Sequence, residues 1–175
     1  MTTIAVVRKG GYAAIAADTL TKWGTAKESA AYIANHQKIQ RVGDTYLAIT
    51  GSTTFKTILR DYFAQPRAYA RFRNPLEIFQ TWQRMHLALK EKYFLLPQED
   101  KDDSLESTRI DVLLANPHGI FGVGAHRTVQ EYSKYYAYGS GSEYAMGAMY
   151  SSYDTPRRSA EDIARHAVEA AAEFN

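Results

Sequence analysis

The 175-residue chain contains no cysteine, which excludes disulfides and thiolate metal sites. It has no apolar run near the roughly 18 residues that a membrane-spanning helix needs. No basic segment followed by an apolar one opens it, so no secretory signal is expected. A net charge of +2 is too small to argue for a nucleic-acid partner. The five histidines show no metal-ligand spacing such as two on one helical turn, so no metal or other cofactor is expected. No internal repeat, low-complexity segment or linker divides the sequence. What remains is ordinary in bulk: 45% hydrophobic and 23% charged residues, enough for a single domain over 1–175 with a real core. A cytoplasmic enzyme or assembly component is the default expectation.

Periodicity divides the chain into strands and paired helices. Thr3 to Val7 reads as a strand, Arg8-Lys9-Gly10-Gly11 as a tight turn, and Tyr12 to Ala17 as a second strand stopped by Asp18. Residues 19–41 are mixed, with loops and short strands. Thr45 to Ile49 forms a core strand ended by Gly51-Ser52. Phe55, Ile58, Leu59, Tyr62 and Phe63 share one helical face, and Pro66 closes that helix. Pro75 suits the first turn of a second helix, whose apolar stripe is Ile78, Phe79, Trp82, Met85, His86, Leu89 and Tyr93. An acidic loop over Pro97 to Ser107 follows, and a solvated loop is the ordinary reading of it. Arg109 to Ala115 and Ile120 to Val123 read as a hairpin through Asn116-Pro117-His118-Gly119, with another strand over Val129 to Tyr132. A helix carrying Tyr144, Ala145, Ala148 and Met149 follows Gly139-Ser140-Gly141. Ser159 and Asp162 form a capping-box pattern ahead of a last helix through Phe174. Helices that come in pairs between groups of strands favour antiparallel sheets with helix pairs stacked outside, an α+β architecture.

Chemistry enters at Met1-Thr2. Removing Met1 gives Thr2 both a hydroxyl nucleophile and a free α-amine, a complete nucleophile–base pair within one residue. The amine titrates at about 7.7–8.0, near working pH. The hydroxyl is still a weak nucleophile and needs a cation beside it, for which a lysine oriented by an aspartate is the natural supply. A backbone N–H must face the developing oxyanion, and a glycine there lets substrate approach closely.

Five segments in order match this requirement: Thr2-Thr3-Ile4-Ala5-Val6-Val7, Ile15-Ala16-Ala17-Asp18, Asn35-His36-Gln37-Lys38-Ile39, Ile49-Thr50-Gly51-Ser52 and Tyr138-Gly139-Ser140-Gly141-Ser142. On these segments the chain resembles the proteasome β-subunit and HslV family of threonine peptidases. The resemblance is nearest to the small bacterial homologues, and the acidic insertion at Pro97 to Ser107 favours the betaproteobacterial proteasome homologue over HslV itself. It implies a four-layer αββα sandwich of the N-terminal-nucleophile hydrolase fold. It implies Thr2 as nucleophile with its own amine as base. Lys38 would lower the hydroxyl's pKa, Asp18 would pair with Lys38, the Gly51 N–H would stabilise the oxyanion, and Ser140 would orient the amine or a bridging water. Thr21, His36, Gln40, Ile49 and Thr53 would line the pocket for the side chain before the cleaved bond. The implied assembly is a homo-oligomeric double ring of about fourteen subunits, with about twelve as the alternative. Its implied partners are peptides or unfolded proteins and an AAA+ unfoldase, with neither nucleic acid nor membrane.

Each residue has a plainer reading when taken alone. Asp18 ends a strand, Lys38 is a surface lysine, Gly51 is a turn, and Ser140 is a helix cap. Lys22 and Lys27 compete with Lys38, because the stretch from Asp18 to Lys38 is longer than the HslV pattern. Gly119, Gly122 and Gly124 hint at a dinucleotide loop, but a hairpin fits better. Tyr132, Tyr135, Tyr136 and Tyr138 suit a packed strand better than a nucleic-acid stacking platform. The family's supporting segment after the last helix would begin where this chain stops, at Asn175. That motivates a second reading, a catalytically silent ring assembly of the same fold. A third is an N-terminal-nucleophile amidase acting on small amides. With Met1 attached, Thr2 has no basic amine, and that form is expected to be inactive.

Overall fold

A computed structural model describes residues 2–96 and 104–175. In chain order its elements are β1 (Thr3–Lys9), β2 (Tyr12–Ala17), β3 (Thr21–Trp23), β4 (Ala26–Glu28), β5 (Ile39–Val42), β6 (Thr45–Ile49), α1 (Thr53–Ala64), α2 (Pro75–Glu91), β7 (Val112–Asn116), β8 (Gly119–Val123), β9 (Val129–Tyr132), β10 (Tyr135–Gly139), α3 (Ser142–Ser152) and α4 (Ala160–Phe174). One sheet runs β10-β1-β2, a larger one runs β5-β6-β7-β8-β9, and β3 with β4 makes a separate ribbon. Every ladder is antiparallel, as the paired helices imply.

Alternation of side chains along the strands builds the layers. Ala5 and Val7 of β1 face α3 and α4, where Ala145, Met149, Ile163, Ala164, Ala167 and Ala171 complete a core of small residues. Ile4 and Val6, one residue out of phase, face the other sheet and meet Ala48, Leu113, Ala115 and Ile120. Val112, Leu114, Phe121 and Val123 point the opposite way, onto Leu59 of α1 and Ile78, Trp82, Met85 and Leu89 of α2. The order is therefore helices, sheet, sheet, helices. This is the four-layer αββα sandwich of the N-terminal-nucleophile hydrolase fold.

The local signals account for most boundaries. Asn74 caps α2 by accepting from the Glu77 N–H, with Pro75 at the first turn. Ser159 and Asp162 form the expected capping box on α4. Ser140 is not a side-chain cap: α3 starts from Gly141, with no side-chain cap bond. The strand expected from Arg109 begins only at Val112, because Arg109 sits in the left-handed region at φ 58°, which no strand residue adopts. Phe79 is exposed on α2, because it lies about 100° around the helix from buried Ile78. Tyr93 lies beyond the helix end. Tyr144 is likewise exposed, in tilted contact with the ring of exposed Phe174. Gly119 and Gly122 lie on the β7–β8 hairpin and Gly124 in the turn just after it. The tyrosines at 135, 136 and 138 belong to β10, with Tyr132 stacked on Tyr136 at 4.3 Å between ring centroids. Of the acidic insertion, residues 97–103 lie outside the described residues, Glu99, Asp100, Asp102 and Asp103 among them. Glu106 is not simply solvated: it accepts hydrogen bonds from Lys90 at 2.7 Å and is 2.9 Å from His86 Nε2. No described helix is long and apolar enough to cross a membrane.

Candidate active site

Strand register brings the separated motifs to one end of the sandwich. In the smaller sheet Thr3 pairs with Gly139 of β10, and Ile4 pairs with Ala17 of β2. Thr2 thus emerges where β2 runs out into Asp18 and β10 runs out into Ser140. In the larger sheet Ile39 pairs with Ala48, which puts Lys38, just before β5, beside Ile49 and Gly51, at the end of β6. The two sheets meet at this end, and Lys38 reaches across to the smaller one.

Asp18 is the anchor. Its Oδ1 accepts from the Thr3 N–H at 2.7 Å, and its Oδ2 accepts from the Leu20 N–H at 3.2 Å and from Lys38 Nζ at 2.8 Å. Lys38 Nζ also donates to the Leu20 carbonyl at 2.7 Å and to Thr2 Oγ1 at 3.2 Å. The ammonium is therefore held by one carboxylate and one carbonyl, with a third N–H directed at the threonine hydroxyl. Both partners of the ion pair are largely buried, so solvent screens the pair far less than a surface one. Lys22 and Lys27 lie opposite each other on the exposed β3–β4 ribbon.

On the other flank the Ser140 N–H donates to the Thr2 carbonyl at 3.0 Å. Ser140 Oγ accepts from Asn175 Nδ2 at 2.9 Å, so the end of α4 reaches the loop after β10. Gly139, at φ 101°, is required here, since a Cβ would run into the Thr2 carbonyl oxygen. Gly51 has φ 105°, and a Cβ there would press on the Arg109 carbonyl at 3.2 Å. Among the described residues its N–H has no hydrogen-bond acceptor, which leaves a donor free at the rim of the site.

Two clefts flank Thr2. One of about 250 Å³ lies between Asp18, Leu20 and the end of α4 at Val168, Ala171 and Asn175. A narrower one of about 30 Å³ is bounded by Thr2, Thr21, Lys38, Ile49, Thr53 and Lys56, with Gly51 and Ser52 at its edge. Thr21, Ile49 and Thr53 thus stand around one cleft. Gln40 lines a different groove, between β5 and α1, and the His36 ring is turned to the Ile33 carbonyl at 2.8 Å. Lys56 did not stand out in the sequence, because the apolar face of α1 overshadows it. Its signal is the spacing of Thr53, Lys56 and Arg60 on the adjacent face. Burial, then the charges of Arg60 and Lys38, hold its pKa below the usual lysine value. Among the described residues no cluster of three or more His, Asp or Glu side chains is placed to hold a metal ion.

The comparisons with known proteins agree with this geometry. No protein-family model matches the chain. Solved structures do. BPH of Thiobacillus denitrificans, the bacterial proteasome homologue, is 61% identical over 99% of this chain and 90% of that one, at a TM-score of 0.93. The same protein in complex with epoxomicin is 60% identical over 99% and 91% of the two chains, at 0.92. The eukaryotic HslV of Trypanosoma brucei is 21% identical over 99% and 91%, at 0.69, a likeness of fold. The sandwich and its nearer relatives define a protein with a proteasome-type peptidase fold. The chain belongs to the proteasome/HslV-type family, in its betaproteobacterial proteasome-homologue branch.

Proposed function

We propose that this chain, once Met1 is removed, is a threonine endopeptidase that cleaves peptide bonds through an acyl-enzyme on Thr2. The observation that carries the reading is the Lys38 ammonium, fixed by Asp18 at 2.8 Å and directed at Thr2 Oγ1 at 3.2 Å. An alkoxide developing on Oγ1 is stabilised by that charge without any rearrangement. The freed α-amine of Thr2 takes the hydroxyl proton as Oγ1 attacks the substrate carbonyl. The Gly51 N–H receives the oxyanion. As the C–N bond breaks, the Thr2 ammonium returns its proton to the leaving amine, and an ester to Oγ1 remains. A water then gives a proton to the amine and attacks the ester, which frees the new carboxylate and restores the hydroxyl. Ser140, held by Asn175, orients the amine or the attacking water.

The same reading makes the protein a cytoplasmic, self-compartmentalising double ring of about fourteen subunits, supplied with unfolded chains by an AAA+ unfoldase. Exposed apolar side chains on both outer helical layers support subunit contacts: Leu76, Phe79 and Leu87 on α2, and Tyr144, Tyr150 and Phe174 on α3 and α4. The size of the native particle by mass photometry checks it; a monomer or dimer would point to the small-amide reading instead.

The chemistry is tested with a threonine-directed epoxyketone, the natural probe because a 60% identical relative is described in complex with epoxomicin. The expected result is a stoichiometric adduct on Thr2, formed about 10²–10³-fold more slowly in Lys38→Met. An adduct rate indifferent to Lys38 would sink the mechanism.

A further inference from the structure

We infer that Lys56 makes the narrow cleft beside Thr2 a subsite for an acidic side chain, so that this protein cleaves after aspartate or glutamate. The inference rests on the reading of Thr2 as nucleophile and adds the substrate class to it.

Lys56 stands in the wall of that cleft together with Thr2, Thr21 and Thr53. It is only 8% exposed, unusual for a lysine without a carboxylate beside it. Its Nζ donates to the Asn35 carbonyl at 2.6 Å, a neutral acceptor that leaves two of its three N–H donors for other partners. Among the described residues no carboxylate pairs with it. The charges that act on it are those of Arg60 and Lys38, both positive. Lys38 is answered by Asp18. Lys56 and Arg60 are left facing the segment 35–37, where Arg60 donates to the Gln37 carbonyl at 3.3 Å. The cleft therefore holds one more cation than anion, and the missing partner is a carboxylate.

Shape agrees with charge. The cleft is the narrower of the two beside Thr2, which favours a short side chain over a bulky one. Its lining includes Thr21, Ser52 and Thr53, whose hydroxyls are of a type that can donate to carboxylate oxygens. An arginine or lysine side chain entering it would meet two ammonium groups at its end. A neutral amide would fill the same space without answering the charge. A carboxylate would gain a charge-assisted hydrogen bond and offset the burial that disfavours the ammonium form.

Two peptide epoxyketones that differ only in carrying Asp or Asn next to the warhead test this on the mature, assembled protein. The readout is the rate at which mass is added to Thr2. The Asp probe is expected to react at least about tenfold faster than the Asn probe. In Lys56→Met the ratio of the two rates should fall to about one, while Lys56→Arg should keep the acidic probe ahead. Equal rates in the unaltered protein, a faster Asn probe, or a ratio unmoved in Lys56→Met overturns the inference. The comparison within the unaltered protein needs no variant to fold. If neither probe modifies Thr2 although Met1 is gone, the nucleophile reading fails and the subsite falls with it. Labelling without acid preference removes the subsite alone.

Discussion

The two helix layers of this molecule pack by opposite means. Against the larger sheet, α1 and α2 bury large side chains, Trp82, Tyr62, Leu59, Met85 and Leu89, joined by Phe72 from the segment between them, with aromatic pairs such as Phe72–Trp82 at 6.2 Å. Against the smaller sheet, α3 and α4 bury mostly alanine: Ala145, Ala160, Ala164, Ala167 and Ala171, facing Ala5 and Ala137. Small residues let backbones approach closely, and the alanine layer is the one next to Thr2. It brings the end of α4 near enough for Asn175 to reach Ser140, and it holds β1 and β10 where the Thr2 carbonyl accepts from Ser140. The aromatic layer supplies bulk stability, while the alanine layer sets positions.

Substitutions in the two layers should therefore separate stability from reactivity. Trp82→Ala removes the largest fully buried side chain among the described residues and should destabilise the fold by about 3–5 kcal/mol, seen as a lowered denaturation midpoint. Its folded fraction should still react with the epoxyketone at the normal rate. Ala167→Leu overfills the alanine layer and should cost about 1–3 kcal/mol. It should also slow labelling of Thr2, because α4 has to shift against β1. If Ala167→Leu left reactivity untouched while Trp82→Ala reduced it, the division of labour would be reversed. Ser159→Ala, which opens the capping box at the far end of α4, should cost about 0.5–2 kcal/mol and leave labelling unchanged.

A smaller effect distinguishes the loop behind α2. Hydrogen bonds from Lys90 and then His86 hold the Glu106 carboxyl below the usual carboxylate range. A carboxyl lowered in the folded state adds stability above its unfolded pKa and loses it as pH falls through the lower folded value. Glu106→Gln should therefore lower the melting temperature slightly at neutral pH, with the gap closing as pH drops below the ordinary carboxylate range. A gap that widened on acidification would contradict the pairing.

Much of this was legible in the sequence, for identifiable reasons. Antiparallel sheets with helix pairs outside follow from paired helices between strand groups, the four-layer αββα order comes with the family resemblance, and the starts of α2 and α4 follow from Pro75 and from Ser159 with Asp162, because caps and proline act locally. The candidate site positions Thr2, Asp18, Lys38, Gly51 and Ser140 are readable only as a set, since each alone has an ordinary structural use. Register is what gathers them at one end of the sandwich, and register is not written in any one segment. The late start of β7 was hidden because Arg109 is a residue type that rarely takes positive φ. Lys56 was hidden because a helical lysine is normally solvated, and only tertiary packing against Asn35 buries it. Gln40 and His36 share a segment with Lys38 but turn to other surroundings, since neighbours on a strand or turn point to different sides.

The central claim is that Thr2, with its amine free, is a nucleophile served by Lys38. Intact mass of the purified protein, measured before and after exposure to an epoxyketone, tests it most directly. The account predicts a chain lighter by one methionine that gains a single adduct mapped to Thr2. A chain that keeps Met1, or one that has lost Met1 and gains no adduct on Thr2, would contradict it.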